Sequence, residues 1–182
     1  EALATRNYLV PNFSLTTSES VTDSTLGQVT NTKTYNKPEY GMLDKITLDP
    51  AGLNYSSTTT TEAPGAFFRQ TSKTLPGGNK TTYQHYTSYD TKDNPCTPTV
   101  EAAIQAGLPK GKTEPDPDAA GPLTAQTSDM IYDASGQVVA ARINSEPYTC
   151  TTYDARGRVT KVVTPAHAGR PGMTSDTNYA VG

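Results

Sequence analysis

The feature that most restricts how this chain can fold is a signature written twice at a spacing of 21 residues. "YDASGQVVAARI" begins at Tyr132 and "YDARGRVTKVVTPA" at Tyr153, so Tyr132, Asp133 and Gly136 fall on Tyr153, Asp154 and Gly157. In Asp-x-x-Gly the carboxylate accepts hydrogen bonds from backbone N–H groups further along the turn, and glycine takes the position where φ is positive. "DASG" and "DARG" are therefore turns flanked by strands, and Val159, Lys161 and Val163 alternate with Thr160, Val162 and Thr164 across the second strand. A lone two-stranded hairpin is marginal in water, so such units are expected to stack on their neighbours.

Weaker copies extend the pattern toward the N-terminus. Tyr89 and Asp90 precede Tyr132 by 43 residues, near two periods. "TYNKPEYGMLDKITLDPAGLNY" carries Tyr35 and Gly41, and "GAFFRQTSKTLPGGNKTTYQHY" runs from Gly65 to Tyr86. The Gly41, Gly65, Gly136 and Gly157 segments each read glycine, short strand, turn, and a strand ending near tyrosine. Composition agrees: Thr is abundant, and 11 Tyr, 14 Gly and 14 Pro suit pleated surfaces and turns. Residues 95–127 break the rhythm. In "PCTPTVEAAIQAG", Thr97 can cap a helix, Pro98 suits its first position and Gly107 its stop, which predicts about two helical turns. "LPKGKTEPDPDAAGPL" then reads as an extended loop. The expected organisation is all-β: degenerate repeats over 1–94, an insertion with one short helix over 95–127, and two clear repeats of stacked antiparallel hairpins over 128–182.

A net charge of −3, with Lys and Arg scattered, argues against a nucleic-acid partner. The apolar runs are only a few residues long and no signal-peptide pattern opens the chain, so membrane insertion is not expected. The first residue is Glu1, and the last follows a strand-like "TNYAV", so a slice of a larger protein is expected. Cys96 and Cys150 fit a single disulfide formed in an oxidising compartment, the alternative being two free buried thiols. A bridge would close a loop worth roughly 3 to 4 kcal/mol through restriction of the unfolded chain, and would pin the insertion onto the neighbouring sheet.

On "YDASGQVVAARI" and "YDARGRVTKVVTPA", and more loosely over residues 35–86, the chain resembles the YD-repeat (Rhs-repeat) family. The insertion followed by "YTCTTYDARGRV" looks like the arrangement in large secreted actinobacterial Rhs-type proteins. The resemblance implies a β-sheet strip that spirals into a shell, enclosing a C-terminal toxin or effector or presenting an adhesive surface. Implied with it are a secreted or cell-surface location, a non-enzymatic role, and partners in the remainder of the parent shell and an encapsulated polypeptide. A carbohydrate-binding or adhesin module, with a surface glycan as partner, is the alternative function; the 11 Tyr and the many Thr would supply its contacts. Sheet edges are expected at both ends.

No residue set suggests catalysis, a cofactor or a metal. "LDPAGL" resembles the self-cleavage site of Rhs cores, but Asp49-Pro50-Ala51-Gly52 is also an ordinary turn, and it precedes the clear repeats. "GLPKGKT" mimics a phosphate loop, yet only three residues separate Gly107 from Gly111, and Lys110 and Lys112 read as solvated charges. Glu114, Asp116 and Asp118 lack the glycine and distal glutamate of a calcium loop. His85 and His167 have no nucleophile assigned to them by the sequence. The Asn-x-Ser/Thr sites at Asn12, Asn54 and Asn79 match what chance gives in so Thr-rich a chain.

Overall fold

The computed structural model describes residues 15–23, 27–35, 41–62, 67–87, 89–119 and 121–179. Among them every regular element is a strand. Twelve strands form one antiparallel sheet and two more a separate pair. The chain divides into two compact units at Thr81/Thr82.

In the first unit, β1 (Leu15–Asp23), β2 (Gly27–Tyr35), β3 (Lys45–Leu48), β4 (Tyr55–Thr61) and β5 (Gln70–Thr74) pair in sequence order. Their registers line up rows of hydroxyls on one face, such as Ser18, Thr32, Thr47 and Ser56. Cross-strand partners bond one another, as in Ser20–Thr30 at 2.8 Å, Thr47–Ser56 at 3.1 Å and Thr60–Ser72 at 2.7 Å. Among the described side chains of this unit the buried ones are Thr47 and Ser72, while Ile46, Leu48 and Tyr55 on the other face are exposed. Threonine thus supplies both the β-branched stiffness and the polar pairing of this sheet. "LDPAGL" is the β3–β4 turn: the Gly52 and Asn54 N–H groups donate to the Asp49 carbonyl, and Leu53 N–H to the Asp49 carboxylate.

The second unit contains β6 (Lys80–His85) from Thr82 onward, then β7 (Thr91–Lys92), β8 (Ala103–Ile104), β9 (Pro109–Thr113), β10 (Thr127–Tyr132), β11 (Val138–Ile143), β12 (Thr149–Tyr153), β13 (Val159–Thr164) and β14 (Met173–Asp176). The order is β6-β9-β10-β11-β12-β13-β14, with β7 and β8 as the separate pair. Ile131, Val139 and Ala140 form its buried core, packed by Cys96, Tyr148 and Tyr153. Each large apolar side chain removed from water contributes about 1.5–3 kcal/mol.

One hairpin design recurs four times, more regularly than its sequence. In β4/β5, β6/β9, β10/β11 and β12/β13 the returning strand bulges by one residue, at Thr71, Lys110, Val139 and Thr160 respectively. The residue after the first strand donates its N–H to the carbonyl just before the second: Glu62 to Arg69, Tyr86 to Leu108, Asp133 to Gln137 and Asp154 to Arg158, at 2.9–3.0 Å. The residue before that carbonyl has positive φ every time: Phe68, Gly107, Gly136 and Gly157. A bulge next to a left-handed residue increases the local twist, so the four hairpins share one local backbone geometry.

Three expectations are corrected. The helix of residues 97–107 is absent. Asn94 Oδ1 accepts the Cys96 N–H at 3.0 Å and Asp93 Oδ1 the Glu101 N–H at 2.6 Å, while Thr97 Oγ1 donates to the Thr99 carbonyl. These short polar side chains give the backbone partners that a helix cannot match, and Gly107 is a hairpin glycine, not a helix stop. The loop expected from Leu108 onward contains β9, a strand paired on both sides with β6 and β10. Tyr89–Asp90 is not a repeat copy: Tyr89 is 93% exposed, and the repeat position is taken by His85–Tyr86. Gly65 lies outside the described residues.

Candidate functional site

Where the β10/β11 hairpin turns through residues 134–136, the β6/β9 hairpin makes a 21-residue excursion over residues 87–107. That excursion folds back over the second unit and roofs a groove of about 840 Å³. Two devices hold it there. The Cys96–Cys150 disulfide joins it to β12 across a sequence separation of 54 residues. Gln105, fully buried, imitates a neighbouring strand: its Nε2 donates to the Tyr132 carbonyl at 2.8 Å, and its Oε1 accepts the Tyr132 N–H at 2.8 Å. A buried amide satisfied on both atoms in this way avoids the desolvation cost of an orphaned polar group.

The groove floor includes Val139, Thr152, Lys161 and Val163, and its walls include Glu101 and Tyr153. Its carboxylates serve the turns. Asp133 Oδ1 accepts the N–H groups of Ser135 at 2.8 Å and Gln137 at 2.9 Å, and Asp154 Oδ1 those of Arg156 and Arg158 at 2.9 and 3.0 Å. The Arg158 backbone N–H, followed by its guanidinium at 2.8 Å from Oδ2, holds the Asp154 carboxyl below the usual carboxylate range. Glu101 accepts a bond from Asn94 Nδ2 at 3.2 Å. The two cysteines are bridged to each other. The groove thus presents hydrogen-bonding groups and apolar surface from Val139 and Val163, with Lys161 and Glu101 as charged lining residues.

Tyr132 and Tyr153 both end the first strand of their hairpin, but their hydroxyls go different ways. Tyr153 Oη donates to the Val138 carbonyl at 2.9 Å, tying one hairpin to the one before, whereas Tyr132 Oη lies 3.8 Å from Met130 Sδ. Tyr148, Asp129 and Arg142 form a cluster that sequence reasoning missed. Tyr148 Oη donates to Asp129 Oδ2 at 2.8 Å, Arg142 Nη2 reaches the same oxygen at 3.1 Å, and the guanidinium lies 4.5 Å from the Tyr148 ring centroid. Burial first, then the bond to Asp129, pushes the Tyr148 hydroxyl up to about 12. The register Asp129↔Arg142 is the only signal that could have found this cluster, and it exists only once the hairpin is aligned.

The other sequence candidates stand apart from the groove. Lys112 pairs with Glu114, and Lys110 sits 5.9 Å from the Tyr86 ring centroid. Asp118 accepts the Leu123 N–H at 3.0 Å, closing a turn. His167 bridges to Arg170 in the β13–β14 connection, and His85 ends β6. Asn54 and Asn79 are exposed, and Asn12 lies outside the described residues. Among the described residues no three His, Cys, Asp or Glu side chains are grouped to hold a metal, and no helix is long and apolar enough to cross a membrane. No protein-family model matches the chain, and no curated protein matches it.

Proposed function

We propose that this chain is wall: a non-enzymatic structural segment of a secreted or cell-surface YD-repeat (Rhs-type) protein, contributing β-sheet to a shell that encloses or presents a C-terminal toxin or effector. One observation carries this reading. The same hairpin, with the same bulge and the same left-handed residue, recurs four times, as a wall built by repetition requires. The spiralling shell, the location and the cargo come from the resemblance of "YDASGQVVAARI" and "YDARGRVTKVVTPA" to the family. Electron microscopy of the full-length protein tests it: a hollow particle whose cargo resists protease until the particle is opened is expected. A solid globule, or cargo digested as fast as the free polypeptide, would overturn it.

A second reading, binding of a neutral surface glycan, is favoured by the hydroxyl rows of the first unit, which offer uncharged donors and acceptors at strand spacing. Saccharide retention on a glycan array that falls on Thr58→Val, a change on the exposed part of that face, would support it.

A further inference from the structure

We propose that the outer edge of β14 is a docking site for one further antiparallel strand, carrying arginine opposite Asp176. The inference rests on the wall reading in that hairpins add side by side.

β14 ends the sheet order. It is also the third member of a series. Asp129, Cys150 and Asp176 stand opposite Gly111, Ala140 and Lys161, each of which directly follows the bulge of its strand. Three residues beyond them come Tyr132, Tyr153 and Tyr179. Tyr179 Oη donates to the Val159 carbonyl at 3.0 Å, as Tyr153 Oη does to the equivalent Val138 carbonyl at 2.9 Å. β14 is therefore the opening strand of a hairpin, in the role of β10 and β12. Sequence reasoning missed it because the tyrosine spacing is 26 residues instead of 21, and because Ala180 replaces the aspartate.

The backbone of β14 points the right groups outward. The Thr177 N–H donates to the Thr160 carbonyl on β13 at 2.8 Å, so in an antiparallel ladder its neighbours Asp176 and Asn178 face away from β13. The same alternation in β12 aims Cys150 and Thr152 at β13, since Asp154 N–H points there. In the two complete units this is where β11 and β13 bind.

The chemistry of the occupant follows from Asp129. It meets Arg142 directly across the ladder, with Nη2 3.1 Å from Oδ2. Asp176 is the equivalent carboxylate and the one charged residue between Met173 and Tyr179. An extended strand with arginine at the position of Arg142 matches both the ladder and the charge.

A synthetic peptide with the sequence of residues 133–143 is the probe, read by amide hydrogen exchange of the intact protein. Millimolar peptide should slow exchange at Asp176 and Asn178 by about tenfold or more. An Arg142→Glu version of the peptide should bind about fivefold or more weakly, and Asp176→Lys in the protein should reverse that preference. Proline at the position of Ala140 in the peptide should abolish protection while leaving the protein untouched. No protection at millimolar peptide, or no preference for arginine over glutamate, would overturn the proposal. Protection that grows with protein concentration alone, alongside a dimer, would overturn it in favour of pairing between copies. A solid particle in the microscope would sink the wall reading without changing these exchange rates.

Discussion

At Gly111 a Cβ would run into the Ser128 carbonyl of the adjacent strand, a backbone group that cannot swing aside. Gly111→Ala should therefore lower stability by about 1–3 kcal/mol, read as a fall in urea midpoint. Gly136 presents the opposite case, with open space around its missing side chain but φ at +78°. Gly136→Val should cost more than about 1 kcal/mol, and Gly136→Asn much less, because asparagine tolerates that backbone where a β-branched residue does not. Equal losses for the two variants would mean that space, not φ, governs the position. Tyr86 and Tyr148 are both pushed up to about 12, burial being the largest cause in each. Since folding raises these pKa values, the stability they contribute is complete below the ordinary phenol value near 10 and is lost as pH rises toward 12. An ultraviolet titration should show two tyrosines ionising last, together with loss of the fold, and Tyr148→Phe should leave one.

Among the elements, the excursion over residues 87–107 depends most on a covalent tie. The loop closed by Cys96 and Cys150 spans 54 residues, for which unfolded-state restriction is worth about 4 kcal/mol. Reduction, or Cys150→Ala, should make this segment the first site of limited proteolysis, with β10–β13 cut later. Equal resistance with and without reductant would show that Gln105 suffices to hold the roof. The disulfide was legible from composition, and so were the two turns whose Asp and Gly stand at sequence-visible spacing. Three other repeats were hidden for separate physical reasons. At β4/β5 the left-handed position holds Phe68, a residue that does not announce positive φ. At β6/β9 the turn has grown until its glycine, Gly107, looks like a helix terminator. At β14 the aspartate is gone. The helix of 97–107 was misread because Thr97, Pro98 and Gly107 stand where a cap, a first turn and a stop would, while Asn94 and Asp93 act through side-chain bonds that only the folded geometry reveals. The bridge that pins the insertion onto the sheet was legible, but the groove beneath it was not, since Gln105 meets the Tyr132 backbone through a contact that no local pattern encodes.

Over the whole molecule, burial is unevenly shared. The described residues of the first unit bury hydroxyl side chains at Thr47 and Ser72, whereas the second buries Tyr86, Ile131, Tyr132, Val139 and Ala140. Hydroxyl pairs in a sheet contribute a few tenths of a kcal/mol each, less than apolar burial does. Amide exchange should therefore be slowest in β10 and β11 and fastest in β1 and β2; the reverse ranking would show that the threonine rows pack more tightly than their chemistry suggests. The hairpin tips also differ in length, and this matters for how such a chain can change. Five residues join β10 to β11 and 23 join β6 to β9, yet both hairpins keep the same bulge and the same closing amide-to-carbonyl bond. Because closing a longer loop costs only slowly growing entropy, a foreign peptide spliced between Asp154 and Gly157 would be carried by an unaltered framework, making the tips natural grafting points.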